Sequence, residues 1–118
     1  MKKTGRERRR YHRAPLDAEF SVTDGPTDEH GTLFFEARNV STGGAFLASD
    51  FLLELDTHLH VRFTLPGMSP IRTGALVVWI SDGEDMEPGL GIQFTTLRPE
   101  YLEAIKEYIR TNPEKQDA

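Results

Sequence analysis

Hydrophobic and polar residues alternate along most of this chain. Leu16, Ala18, Phe20 and Val22 fall two apart with polar residues between them, a period that predicts a half-buried strand. Asp24-Gly25-Pro26 breaks the pattern, and the stretch to Gly31 is polar. Leu33 to Arg38 is a second candidate strand. Asn39-Val40-Ser41-Thr42-Gly43-Gly44 has turn chemistry, and Ala45-Phe46-Leu47-Ala48 resumes an apolar run. Between 57 and 65, Leu59, Val61, Phe63 and Leu65 share one face and His58, His60, Arg62 and Thr64 the other, before Pro66-Gly67 closes the strand. Ile71 to Ile80 is a strand rich in β-branched residues around Trp79, Ser81 to Pro88 an acidic turn, and Leu90-Gly91-Ile92-Gln93-Phe94 a sixth strand. Short strands at this spacing predict a closed or nearly closed antiparallel barrel.

The C-terminal segment changes period. Pro99 suits a first helical turn, and Tyr101, Leu102, Ile105, Tyr108 and Ile109 recur three and four apart, which predicts an amphipathic helix. Its apolar face needs the barrel to cover it, with an open end as one place to do so. Asn112-Pro113 ends the helix.

Length and charge refine this picture. The chain has 118 residues, enough for one hydrophobic core, and no cysteine, which excludes disulfides, thiolate-bound zinc and a thiol nucleophile. It has neither a run of apolar residues long enough to span a membrane nor the apolar stretch of a signal peptide, so a cytoplasmic location is expected. The net charge of −5 conceals a division: residues 1–13 carry seven basic residues and one acid, net +6, and residues 14–118 carry seven basic and 18 acidic residues, net −11. The expected organisation is a flexible basic arm over 1–15, a barrel with its helix over 16–112, and a frayed tail over 113–118. The acidic body argues against duplex binding by the whole domain, but the arm can bind an anion.

Two segments carry candidate chemistry. The arm reads Arg6-Glu7-Arg8-Arg9-Arg10-Tyr11-His12-Arg13. Each guanidinium grips phosphate bidentately, stacks on aromatic rings and matches the O6/N7 edge of guanine, so the cluster suits a guanine nucleotide; a solvated basic tail is the plainer alternative. In the second segment, Asn39 supplies amide donors and an acceptor, Ser41 a hydroxyl, and Gly43-Gly44 permit close approach to the main chain; a tight strand-to-strand turn is the plainer alternative. Asn39-Val40-Ser41 also matches a glycosylation sequon, which has no relevance without secretion.

Together, Arg9-x-x-x-Arg13 and Asn39-x-Ser41-x-x-Gly44 resemble the paired motifs of the PilZ domain, Arg-x-x-x-Arg and Asp/Asn-x-Ser-x-x-Gly. Leu65-Pro66-Gly67, Val77-Val78-Trp79, Gly89 to Phe94 and the final helix extend the resemblance over nearly the whole chain. The resemblance implies a mainly β fold, a six-stranded antiparallel PilZ-type barrel with a C-terminal α-helix, that binds cyclic di-GMP. Arg9 and Arg13 would hold guanine edges and phosphates, Asn39 and Ser41 would contact the ligand from the barrel surface, and Gly44 would keep the turn. An arginine at the position of Arg8 accompanies two intercalated ligand molecules in the family, which implies a two-ligand site. Trp79 is a further ligand-binding candidate, able to cover a base or simply to pack.

Other features point to no reaction. His58 and His60 share a face and could supply two zinc ligands, but no third is evident, so no metal is expected. Asp82, Glu84, Asp85 and Glu87 lack the spacing of a calcium loop, no Gly-rich triphosphate loop exists, and no hydrolase triad is apparent. The expectation is therefore a cyclic di-GMP receptor without enzyme activity or cofactor, which folds its arm onto the ligand and signals to an unidentified effector protein in motility, biofilm or related control. The rivals are a nucleotide-independent PilZ-like adaptor and, less favoured, a nucleic-acid-binding barrel that uses the arm.

Overall fold

The computed structural model describes residues 13–25, 31–51, 53–84 and 86–112. Six strands and one helix follow one another: β1 (Arg13–Thr23), β2 (Leu33–Ser41), β3 (Gly44–Ala48), β4 (His58–Phe63), β5 (Ile71–Ser81), β6 (Gly89–Phe94) and α1 (Pro99–Thr111). All neighbouring strands are antiparallel, and the order β1-β2-β3-β6-β5-β4 closes on itself through pairing of Ser21–Thr23 with His60–Arg62. This is the expected six-stranded barrel with a C-terminal helix.

The alternation seen in the sequence sets which side chains enter the barrel. Leu16, Phe20 and Val22 of β1, Leu59, Val61 and Phe63 of β4, and Ile71, Ala75 and Val77 of β5 belong to one buried cluster. Its aromatic centre is Phe63, whose ring lies 4.1 Å from that of Phe20 and 5.8 Å from that of Phe94, nearly parallel to both.

Two strands exceed the extent suggested by periodicity. β1 begins at Arg13 rather than near Leu16, because Arg13, Ala14 and Pro15 pair with Ser41, Val40 and Asn39. Pro15 hides this extension in the sequence because it has no N–H for a ladder, although a strand position open on one side accepts it. β2 likewise runs through Asn39-Val40-Ser41, leaving only Thr42-Gly43 as the turn.

Helix α1 rests on β1 and β2 and adds Ile105 and Tyr108 to the core cluster. Pro99 starts it, Glu100 and Arg110 match the signs of its dipole, and Asn112 caps its end, its side-chain amide donating to the Tyr108 carbonyl at 3.0 Å. Tyr108 also fastens the helix to the first strand: its hydroxyl donates to the Pro15 carbonyl at 2.8 Å. Burial raises the Tyr108 phenol above its ordinary value.

Phe63→Ala should lower the free energy of urea unfolding by about 3–5 kcal/mol, because it removes the middle ring of the stack and leaves a cavity. Tyr108→Phe should cost about 0.5–1.5 kcal/mol near neutral pH through loss of one hydrogen bond. The raised phenol gives a definite pH sign. Its contribution is complete below the unfolded-state value near 10 and is lost as pH rises through the folded value. Urea unfolding across the alkaline range should therefore fall more steeply for the wild type than for Tyr108→Phe.

Candidate functional site

The candidate residues meet on the outer surface of the barrel, where β1, β2, β3, β6 and β5 lie side by side. Two irregularities in the ladders put them there. On β2, Phe35 and Ala37 point inward, and strict alternation would turn Asn39 inward as well. The register instead shifts between Ala37 and Asn39, so Arg38 and Asn39 together face the single residue Phe46 on β3 and both lie outside. Val40, opposite Ala45, resumes the inward position.

β5 repeats this device. Val77 points inward opposite Ile92, the register shifts, and Trp79 comes to lie outside opposite Gly91, while Ile80 opposite Leu90 packs on the core again. One outward row therefore crosses five strands: Pro15, Asn39, Phe46, Gly91 and Trp79. With strands about 4.8 Å apart, Asn39 and Trp79 are separated by about 14 Å of sheet, and Phe46 sits between them.

Phe46 and Trp79 form a stacked pair outside the barrel, with ring centroids 5.4 Å apart and 19° between planes. Phe46 is buried although it is not part of the interior cluster, and Trp79 is half-buried. The pair lies flat because β6 presents glycine beneath it: a Cβ at Gly91 would run into the Trp79 indole. The sequence marks Trp79 as a candidate but not Phe46. Its run, Ala45 to Ala48, is apolar throughout and gives no sign of which face each residue takes. Register alone identifies Gly44, Phe46 and Ala48 as outward.

The polar half of the site lies at the β2–β3 end. Arg13, outward on β1 and opposite Ser41, reaches Asn39 through Nη1, 3.4 Å from Oδ1. Ser41 serves the turn: its Oγ accepts the backbone N–H of Gly43 at 3.1 Å and of Gly44 at 3.2 Å. Gly44 passes so close to β6 that a Cβ would fall on the Ile92 carbonyl oxygen. Beside Asn39, Arg38 turns away and forms a two-pronged ion pair with Glu87 and a single one with Glu36. The hydrogen bond from Arg38 holds the Glu87 carboxyl below the usual carboxylate range.

Arg13, Asn39, Ser41 and Gly44 are thus neighbours, and Trp79 shares their face at the far side of Phe46. Arg8 and Arg9 lie outside the described residues. His58 and His60 are exposed on the outer face of β4, and among the described residues no three His, Asp or Glu side chains are grouped to hold a metal. No helix among them is long and apolar enough to cross a membrane.

Comparison with known proteins agrees with this architecture. The family model described as PilZ domain matches residues 7–111, and the chain belongs to that family. No curated protein sequence matches it. Among solved structures it is similar to the Bacillus subtilis inhibitor of motility MotI/DgrA, with a TM-score of 0.72 at 22% identity over 88% of this chain and 50% of that one. It thus spans about half the length of MotI. The PilZ domain of Escherichia coli YcgR with c-di-GMP gives a TM-score of 0.65 at 22% identity over 89% of this chain and 91% of that domain. The K. pneumonia MrkH–c-di-GMP complex gives 0.67 at 17% identity over 86% of this chain and 50% of the other.

Trp79 is the chain's one tryptophan, so its emission reports this face alone. Gly91→Ala should push the indole off β6 and into water, shifting the emission to longer wavelength while the far-ultraviolet circular dichroism stays that of the wild type. The new methyl should cost about 1–3 kcal/mol in urea unfolding.

Proposed function

We propose that this chain is a receptor for cyclic di-GMP that acts in the cytoplasm, without catalysis, by changing the surface it offers to a protein partner. The observation that carries the reading is the side-by-side placement of Arg13 and Asn39 on the same outer face as the Phe46–Trp79 stack. A cyclic dinucleotide has two phosphates and two flat bases. It therefore needs cationic donors, amide groups that match a guanine edge, and apolar surface in one place. The cyclic di-GMP bound in the YcgR and MrkH structures supports the same choice.

The contact between Arg13 and Asn39 is long for a hydrogen bond, so a ligand acceptor would compete with Asn39 for the guanidinium. Arg13 would then turn to phosphate or a guanine edge, with Arg9 joining it from the preceding segment and Asn39 meeting a base from the barrel. Ser41 and Gly44 would keep the turn that leaves room for the ligand. The phosphates would draw the basic segment that precedes β1, whose six basic residues face one acid, onto the barrel, and this docking would be the signal passed on. Arg8 would supply a third guanidinium for a second, intercalated ligand. Likeness to an inhibitor of motility supports motility as the controlled process.

Isothermal titration with cyclic di-GMP tests the reading. Each charge-assisted hydrogen bond is worth about 1.5–3 kcal/mol, so the Arg9→Ala, Arg13→Ala double variant should lose measurable heat, and Asn39→Ala should weaken binding about tenfold or more. The wild type should take up two ligands per chain and Arg8→Ala one. A silent wild type that still captures its partner would instead establish the nucleotide-independent adaptor.

A further inference from the structure

A second outward row crosses the barrel at the opposite end of β1. It runs from Phe34 on β2 through Ser21 on β1 and Arg62 on β4 to Arg72 on β5. From Arg13 to Ser21 the strand covers about 26 Å, so this row is well separated from the face described above. Phe34 is 63% exposed, and both arginines are exposed.

The charges here are unusual for this body. After Arg13, the described basic side chains are Arg38, Arg62, Arg72, Arg98, Lys106 and Arg110. Arg38, Arg98, Lys106 and Arg110 each have an acid of their own within ion-pair distance. None of the ion pairs among the described residues includes Arg62 or Arg72, although residues 14–118 carry net charge −11. These two are also direct cross-strand partners, where like charges repel. The row therefore sets two guanidinium groups with no acid in ion-pair range among the described residues beside one large exposed aromatic, cationic and apolar surface side by side.

We infer that the Phe34–Ser21–Arg62–Arg72 row docks a short acidic segment of a protein partner that also carries an apolar side chain. The two guanidinium groups fit carboxylates bidentately, Phe34 covers the apolar side chain, and the Ser21 hydroxyl, which donates to the Arg62 carbonyl at 3.4 Å, can accept a backbone N–H between them. The acidic border selects the kind of partner. The next outward pair on β1 and β2 is Glu19 opposite Glu36. A nucleic-acid strand, charged along its whole length, would meet the acidic body, net charge −11 over residues 14–118, on either side of the row, whereas a short acidic segment ends within it. No residue of the row belongs to the nucleotide face, so this inference stands apart from the proposed ligand.

The test is fluorescence anisotropy of a labelled, capped peptide alternating glutamate and leucine, titrated with the full chain at low salt. The Arg62→Glu, Arg72→Glu double variant should bind at least about tenfold more weakly, and Phe34→Ser about threefold. Arg98→Glu, which reverses one charge away from the row, should stay within about twofold. Circular dichroism checks that each variant is folded, and cyclic di-GMP titration of the double variant should match the wild type. Equal loss in Arg98→Glu, or no loss in the double variant, would overturn the inference. Tighter binding of an oligouridylate of equal charge, lost in the same double variant, would overturn it in favour of nucleic acid.

Discussion

The barrel depends on the period of two in each strand, which closing the sheet on itself turns into an inside and an outside. Each strand must send every second side chain inward, and a slip of one residue would exchange the whole inside for the whole outside. The Phe20–Phe63–Phe94 stack exists because three strands obey this rule at one level of the barrel. The same rule leaves the outer face free of packing duty, so residues can be placed there for other purposes. The two bulges absorb a change of phase within two residues. They put Asn39 and Trp79 outside and return Val40 and Ile80 to the core.

The proposed ligand face therefore depends on backbone irregularity more than on side-chain choice. Asn39 would point into the core without the shift beside Arg38, and Trp79 would do so without the shift beside Val78. What lies between them depends on close approach. Gly91 lets the indole lie against β6, and Gly44 lets β3 enter the barrel wall beside Ile92. Tyr108 completes the support from the other side. It ties the helix to Pro15, next to the strand position that carries Arg13.

Much of the inner face was legible in the sequence. Leu59, Val61 and Phe63 alternate cleanly with His58, His60 and Arg62, and the helix announced itself through Ile105 and Tyr108. The outer face was legible only in part. Arg13, Asn39, Ser41 and Gly44 are recognisable as a motif, but the motif does not reveal that all four belong to strands. A bulge leaves no compositional mark: Arg38-Asn39 reads as the beginning of a turn, and Val78-Trp79 as two more residues of a buried strand. Phe46 was missed for the same reason, since an apolar residue in an apolar run carries no sign of its direction. The exposed Phe34 is similar, because one aromatic in a strand reads as core until its neighbours Phe35 and Phe20 are seen to pair on the inside.

Closure also restricts how this protein can be joined to anything else. A sheet that runs in a circle has used most of its hydrogen-bonding rim, and where β1 extends beyond its pairing with β4, Tyr108 takes the carbonyl of Pro15, a residue with no N–H to offer. Closure therefore leaves little edge to a newcomer that would lend a strand, the route open to many β-rich assemblies and also to amyloid. The larger surface on offer is one of side chains. That makes association depend on the identity of a few outward residues, which evolution can exchange one at a time without disturbing the barrel that carries them.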